Sequence, residues 1–223
     1  TSDSDSVQVE DNTVTITEEG TYILSGSLSD GMVIVDVDEK EKVQLVLNGV
    51  DITSKESAAI YVRSADKVFI TTAADSENQL TNGGTYTAID DNNIDAVIFS
   101  KDALTLNGAG TLTINAQEGH GIVSKDDLVV TCGTYDITAK KHGLAGKDSV
   151  RIAEGIFRIT CGKDGIHGAK SDDTTLGFVY IAGGTFEIAA EDDGIHTDSA
   201  LTIEDGTIHI TESCEGLEGA AID

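Results

Sequence analysis

The chain of 223 residues contains no proline and no tryptophan, and its aromatic residues are only five Tyr and five Phe. A flat crystalline glucan is usually bound by a row of exposed aromatic rings, and too few rings are present for such a row. Tyr22 and Tyr180 are the best candidates for outward-facing rings. The ladder of Tyr135, Phe157 and Phe186 described below is more simply part of a core.

Basic residues are also scarce. Fourteen Lys and Arg face forty Asp and Glu, which gives a formal net charge of −26. Such a charge disfavours binding to a nucleic acid backbone and favours cations as partners, or a solvating surface. No apolar run is long enough to span a bilayer, so we expect no membrane insertion. We also expect a monomer. Three Cys (Cys132, Cys161, Cys214) cannot all pair, and their spacing matches no zinc pattern.

No stretch shows helical periodicity, whereas Val, Ile, Thr and 24 Gly favour strands and turns. A repeat runs through the second half of the chain. Its units open at glycines 121, 143, 165, 194 and 216, with steps of 22, 22, 29 and 22 residues. The long step contains the extra segment 171–178, and looser copies lie at 61–70 and 97–114.

The repeat predicts which faces turn inward. Aligned units place apolar residues in two ladders: Leu128/Val130, Val150/Ile152, Val179/Ile181, Leu201/Ile203; and Tyr135/Ile137, Phe157/Ile159, Phe186/Ile188, Ile208/Ile210. A unit of short strands cannot bury its own face but can stack on a copy of itself. We therefore predict an all-β, right-handed parallel β-helix of about seven to eight rungs with ~22 residues per rung.

An antiparallel sandwich is the alternative fold. It would need hairpin turns between strands, and only Asn48-Gly49 and Asn82-Gly83 resemble them. In the β-helix interpretation, residues 1–6 are a polar linker and 7–223 form one domain, with 7–31 as the N-terminal cap and first strands. Residues 75–95 would form an acidic, Asn-rich loop, and the C-terminus would stop within a rung.

Stacking brings equivalent residues of successive rungs to about 4.8 Å from one another. The residues before each opening Gly form one column: His120, His142, Asp164, Asp193, Glu215. Two places after the Gly come Val123, Ala145, His167, His196 and Glu218. Neighbouring carboxylates at that spacing repel by roughly 3 kcal/mol at an effective dielectric of about 20. Clustered carboxylates suit Ca²⁺, so we predict a calcium site at Asp164, Asp192, Asp193, Glu215 and Glu218.

Simpler interpretations exist for each motif. Asp-Gly is a good turn, and an Asp side chain can cap backbone amides while facing water. The Ser-Lys-Asp turns include Lys125/Asp126 and Lys147/Asp148, which could form local ion pairs or grip a carboxylate-bearing sugar. His167 and His196 could hold zinc, although we favour a pair that donates hydrogen bonds to a ligand. His120 and His142 are interpreted as stacked turn residues.

Several stretches together resemble one known family of secreted bacterial right-handed β-helix proteins, classed as a carbohydrate-binding domain and formerly as a domain of unknown function. The resemblance covers nearly the whole chain. It is carried by T-I-T-E-E-G-T-Y-I-L-S-G-S-L-S-D-G (15–31), V-Q-L-V-L-N-G-V-D-I-T (43–53), A-A-I-Y-V-R-S-A-D-K-V (58–68), S-K-D-A-L-T-L-N-G (100–108), D-D-G-I-H (192–196) and C-E-G-L-E-G-A (214–220).

That family is similar in fold to the family 9 polysaccharide lyases, whose Ca²⁺ is held by an Asp one rung before a D-D-G-x-D pattern. The resemblance maps the paired Asp onto Asp192 and Asp193, and the Asp one rung earlier onto Asp164. His196 replaces the final Asp, so the lyase coordination is incomplete, although Glu218 offers a carboxylate in that column.

With this pattern broken, we predict a non-catalytic, calcium-dependent binder of plant cell-wall polysaccharide, either acidic pectin or cellulose, outside the bacterial cell or on its surface. Lys125, Lys147, Lys163, Asp126, Asp148, His167 and His196 are the candidate ligand-binding residues. A pectate lyase is the first alternative, with one of the three lysines as base. A calcium-stabilised structural or adhesin stalk is the second.

Overall fold

The computed structural model describes residues 5–173 and 175–223, and it is built from strands and turns. No helix that could cross a membrane occurs in these two ranges. The strands are β1 (Val7–Glu10), β2 (Thr13–Ile16), β3 (Gly20–Leu28), β4 (Met32–Asp36), β5 (Lys42–Ser54), β6 (Ile60–Ser64), β7 (Lys67–Thr72), β8 (Glu77–Asn82), β9 (Ala96–Ser100), β10 (Ala103–Gly108), β11 (Thr111–Ala116), β12 (His120–Ser124), β13 (Asp127–Val130), β14 (Thr134–Ala139), β15 (Leu144–Gly146), β16 (Ser149–Ile152), β17 (Ile156–Cys161), β18 (Ile166–Gly168), β19 (Phe178–Ile181), β20 (Thr185–Ala190), β21 (Ile195–Thr197), β22 (Ala200–Ile203), β23 (Thr207–Glu212), β24 (Leu217–Glu218) and β25 (Ala221–Ile222).

Two parallel sheets wind around one core. The first sheet has the order β1-β2-β4-β6-β9-β12-β15-β18-β21-β24. The second runs β23-β20-β17-β14-β11-β8-β5-β7-β10-β13-β16-β19-β22-β25, with β3 beside β5. From β2 onward, neighbouring strands of the first sheet are parallel and belong to successive rungs, which is the pairing of a β-helix-like fold. The only antiparallel pair in the described ranges is β1 with β2, so a sandwich is excluded.

The second sheet bends within β5, because the two halves of this strand pair with different strands. Its first half pairs with β7 and its second half with β8. The bend falls at Asn48-Gly49, where Gly49 has a φ of 74°, a left-handed conformation that favours glycine. This dipeptide is therefore a corner within one strand, and its interpretation as a hairpin turn is wrong.

The apolar ladders predicted from the repeat are confirmed. In one half of the bent second sheet, the residues in register are Leu128, Val150, Val179 and Leu201, and all are buried. In the other half, the rings of Tyr135, Phe157 and Phe186 stack inside the core, with centroids 5.2 and 4.7 Å apart. Burial of each such ladder residue contributes about 1.5–3 kcal/mol, so stacking of the repeat supplies the driving force for folding.

Two other predictions concern the connections. Residues 75–95 were expected to be one loop, but Glu77–Asn82 form β8, whose Leu80 lies in the core. Residues 83–95, which follow this strand, are hereafter the covering loop. Of the predicted linker, residues 1–4 lie outside the described ranges. The carbonyl oxygen of Ser6 accepts a hydrogen bond from the amide N–H of Thr17.

A second, smaller core lies on the outside of the first sheet. Tyr86 and Ile94 of the covering loop pack there on outward side chains that include Met32, Ile34 and Phe99. Tyr61 is fully buried in this core, and its hydroxyl donates to Asp90 of the same loop at 2.8 Å. The covering loop therefore closes the outer face of the first rungs and leaves the later rungs open.

Candidate functional site

One outward column runs the length of the first sheet, and we call it the outer column. Its register is set by consecutive parallel pairs, and its members in order are Ile34, Tyr61, Phe99, Val123, Ala145, His167, His196 and Glu218. The last five were predicted to form a column, and the structure confirms it. The side chains of the column are apolar where the covering loop packs on them, and they are ionisable where the face is open.

The residues before each opening glycine form a second column, the preceding column, next to the outer one. Each side chain accepts a hydrogen bond from the backbone N–H of the next member: His142 N–H to Nδ1 of His120, Asp164 N–H to Nδ1 of His142, Asp193 N–H to Oδ1 of Asp164, and Glu215 N–H to Oδ1 of Asp193, at 3.1–3.2 Å. These side chains therefore stabilise the stacking of successive rungs, as the turn interpretation of Asp-Gly requires.

That interpretation does not account for the second oxygen of each carboxylate. Asp164 and Asp193 do not face water, because they are only 4% and 6% exposed. Burying an ionised carboxylate is costly unless charges or hydrogen bonds compensate. Each Asp therefore keeps one oxygen for the backbone and directs the other at neighbouring side chains.

Four imidazole rings form one continuous stack. The centroids of His120, His142, His167 and His196 follow each other at 4.8, 4.1 and 5.1 Å, with interplanar angles below 20°. We predicted two separate pairs, one in each column. The structure joins them because both columns border the opening glycine on the same face, so that the ring of His142 reaches the ring of His167.

Carboxylates line this stack. Oδ2 of Asp164 lies 2.6 Å from Nδ1 of His167 and 3.2 Å from Nδ1 of His142. Burial alone would raise the pKa of Asp164, but the neighbouring imidazoles of His142 and His167 and the hydrogen bond from the Asp193 amide hold that pKa well below its usual range. The surroundings of Asp164 therefore favour its ionised form.

Two rings of the stack, His142 and His196, differ in the direction of their pKa shifts. Burial lowers the pKa of His142 to about 4, despite the nearby Asp164. Burial acts in the same direction on His196, but hydrogen bonds with Glu218 and Asp193 and the charge of Asp164 raise its pKa overall. Nδ1 of His196 lies 2.6 Å from Glu218 and 3.3 Å from Asp193. The surroundings thus favour the neutral form of His142 and the protonated form of His196.

Three of the five predicted calcium ligands come together. Oxygens of Asp164, Asp192 and Asp193 lie within 4.8 Å of one another, two of them from buried side chains and one from an exposed side chain. Glu218 belongs instead to a group with Asp193 and His196, and Glu215 joins none of the groups found in the described ranges. The donor set of the first three is purely carboxylate, which fits Ca²⁺.

A groove of about 190 Å³ lies beside the stack. Its lining includes three imidazoles, the apolar side chains of Val123 and Ala145, and Lys125 and Lys147. The ammonium of Lys125 lies 5.2 Å from the centroid of the Phe99 ring, at the edge of the covered face. Two of the three predicted lysines therefore share one concave surface with the imidazoles.

The remaining candidates lie around this groove. Lys163 is exposed and is not part of the groove lining. Asp148 pairs with Lys170 at 2.7 Å, and Asp126 accepts the amide of Asp127 at 2.6 Å. The local ion pairs expected within the Ser-Lys-Asp turns are thus replaced, at Asp148, by a partner from the next rung.

Asp95 was not predicted, although it lies at the start of the imidazole stack. Its Oδ2 is 3.6 Å from Nε2 of His120 and 3.9 Å from the ammonium of Lys141. Asp95 ends the covering loop, so its position depends on where that loop folds back. The sequence signal for Asp95 is weak: it directly precedes a strand and lies one repeat before His120.

Comparison with known proteins settles the family. The sequence profile of the carbohydrate-binding domain-containing proteins matches residues 10–220. This chain belongs to that family. A relative with the same description, from Acetivibrio thermocellus, is 42% identical over 220 residues, which cover 96% of this chain and 77% of the relative.

A solved structure similar to this member of the carbohydrate-binding family is a gadolinium derivative described as the polysaccharide lyase-like protein from C. thermocellum. The two structures superpose with a TM-score of 0.96 at 36% sequence identity, over all of this chain and 92% of the other. The comparison confirms the family resemblance and supports the β-helix-like fold. The right-handed sense and the number of rungs remain predictions.

Proposed function

We propose that this protein is a non-catalytic, calcium-dependent binder of acidic plant cell-wall polysaccharide of the pectin type, working outside the bacterial cell or on its surface. Cellulose is the second ligand of this proposal. The observation that carries it is the placement of a carboxylate cluster and a lysine-lined groove on the same open face, beside the imidazole stack.

The carboxylate cluster suits a hard divalent cation. Asp164, Asp192 and Asp193 offer carboxylate oxygens only, and Ca²⁺ binds six to eight oxygens in flexible geometry. The cluster supplies part of that number, which leaves positions for water and for oxygens of a sugar. When bound, the ion offsets the repulsion among the three side chains and supplies positive charge to a uronate carboxylate.

Electrostatics explains why the ion and the lysines belong to one mechanism. A protein with a net charge of −26 repels an acidic polymer. Lys125 and Lys147 both line the groove, where their ammonium groups attract a carboxylate and orient the chain. Val123 and Ala145 supply an apolar part of this lining for the less polar face of a sugar ring.

The lyase alternative is favoured by the description of the structural neighbour as polysaccharide lyase-like. In that reaction Lys125 or Lys147 would remove the proton next to the uronate carboxylate. The two functions differ in their product, because a lyase forms an unsaturated uronate that absorbs ultraviolet light. Absorbance that rises with time, and that Lys125→Gln or Lys147→Gln abolishes, would establish the lyase.

The proposal is tested by calorimetric titration of polygalacturonate and of a soluble glucan into the chelator-treated protein, and again with calcium restored. We expect heat from polygalacturonate only with calcium, with the affinity lowered by Asp192→Asn and by Lys147→Gln. Asp192 is exposed, so its amide variant leaves the two buried carboxylates of the cluster, Asp164 and Asp193, unchanged. Lys40→Gln, an exposed lysine far along the chain from the groove, is the matched control.

Two outcomes contradict the proposal. Equal loss of affinity in Lys40→Gln and Lys147→Gln would show that general charge, and not the groove, attracts the polymer. Calcium binding that raises the melting temperature with no heat from either sugar would favour the structural stalk instead.

A further inference from the structure

Two imidazoles and one carboxylate converge on a single point above the first sheet. Nδ1 of His142 and Nδ1 of His167 lie 3.2 and 2.6 Å from the same oxygen, Oδ2 of Asp164. One ligand atom from each side chain falls within 4.8 Å of the others. The side chains of His142, Asp164 and His167 are 12%, 5% and 24% exposed, so the cluster is largely buried but open to the groove.

Hydrogen bonds fix the ring orientation and tautomer of His142. Its Nδ1 accepts the amide N–H of Asp164, so the neutral ring carries its proton on Nε2. The same Nδ1 lies 3.2 Å from Oδ2 of Asp164, which is also within hydrogen-bond distance of Nδ1 of His167. Two nitrogens and one carboxylate oxygen therefore point at the same small volume, where a bound cation would replace these hydrogen bonds with coordination bonds.

We propose that His142, Asp164 and His167 form a binding site for a borderline divalent transition metal such as Zn²⁺. Imidazole nitrogens with one carboxylate oxygen are the donors such ions prefer. Three protein ligands leave a fourth position, which opens into the groove lined by Lys147. Binding of the ion exchanges one long backbone hydrogen bond, 3.2 Å, for a metal–nitrogen bond.

This site differs chemically from the calcium cluster, although the two share Asp164. Calcium takes oxygen ligands, whereas His142, Asp164 and His167 offer two nitrogens and one oxygen. Oδ2 of Asp164 lies between the two nitrogens, while Oδ1 accepts the amide N–H of Asp193. The inference rests on these donors and not on the binding of a sugar.

A second mixed group, Asp193, His196 and Glu218, is the weaker candidate. It contains one imidazole and two carboxylates, and the side chain of Glu218 is 46% exposed. Only one nitrogen ligand is present, which suits a transition metal less well. The exposed Glu218 side chain would also lose more conformational entropy on binding. The variants below separate the two groups.

The test is titration of Co²⁺ into the chelator-treated protein, followed by visible absorption, with Zn²⁺ then competing against a chelating dye. We expect one tight site, with the ligand-field bands of nitrogen and oxygen coordination, that a large excess of calcium does not displace. His142→Ala and His167→Ala should each weaken binding at least about tenfold, since loss of even an outer partner of a metal site costs roughly 10–100-fold.

His209→Ala is the matched control, because His209 is an exposed histidine on β23, outside the stack. Its affinity should equal that of the unmodified protein. Melting curves in chelator check that each variant folds, and Asn in place of Ala at 142 or 167 serves as a second variant if one does not. Unchanged affinity in His142→Ala, or a loss found instead in His196→Ala, would overturn the proposal.

Discussion

The two halves of the outer column occupy equivalent positions on one sheet, yet they have opposite chemistry. Ile34, Tyr61 and Phe99 are buried under the covering loop, whereas His167 and His196 are partly exposed and surrounded by carboxylates. The backbone pairing is the same in both halves. The covering loop thus decides whether the outer face of a rung is buried or open.

The largest expected difference between the halves lies in packing. Phe99→Ala should lower the free energy of unfolding by about 3–5 kcal/mol, because a fully buried ring leaves a cavity. His196→Ala, in the same column on the open half, should cost no more than about 1 kcal/mol. Urea denaturation measures both. Equal losses would mean that the open half is as tightly packed as the covered one.

The second difference is in pH dependence, measured in chelator so that no metal contributes. Between the folded pKa of His142, about 4, and the ordinary value of about 6.5, the unfolded chain binds a proton that the folded chain does not. The free energy of unfolding should therefore fall as pH drops through this window, by up to about 3 kcal/mol. The depressed pKa of Asp164 contributes only at more acidic pH.

His142→Gln should remove most of that acid sensitivity, and His209→Gln should keep it. Denaturation curves at several pH values between these limits give the slope for each variant. A slope unchanged in His142→Gln would assign the proton uptake to another group, with His120 the next to examine, since burial also lowers its pKa.

A smaller effect is expected at the attachment of the covering loop. Asp90 accepts hydrogen bonds from the Tyr61 hydroxyl at 2.8 Å and from Nε of Arg63 at 3.2 Å. Asp90→Ala leaves both donors without this partner, which should cost about 1–3 kcal/mol. Limited proteolysis should then cut the loop faster. Resistance equal to that of the unmodified protein would show that Tyr86 and Ile94 alone hold the loop.

The smallest effect is expected at Tyr86. Its buried hydroxyl has no hydrogen-bond partner among the described residues, and Asp95 also leaves one buried oxygen unpaired there. Tyr86→Phe removes the unpaired group and should leave stability unchanged or raise it by up to about 1 kcal/mol. A clear loss of stability by thermal denaturation would indicate a water molecule that bridges the two side chains.

The sequence by itself determined the repeat and its consequences. Short apolar ladders separated by Asx and Gly turns repeat at 22 residues, and this local period predicts parallel stacking, the inward residues and the membership of both columns. The juxtaposition of Asp164 and Asp193 followed from the same arithmetic, since residues one repeat apart in a stacked fold are neighbours.

Only the tertiary structure decided what lies between columns. The meeting of His142 and His167 depends on the directions of two rings, which a repeat does not specify. Burial and three neighbours, His142, His167 and Asp193, determine which Asp164 oxygen faces the backbone and which faces the imidazoles. The covering loop is not part of the repeat, so the repeat could not predict that this loop packs on Tyr61 and Phe99. Long-range packing of an irregular segment therefore chose which rungs remain open.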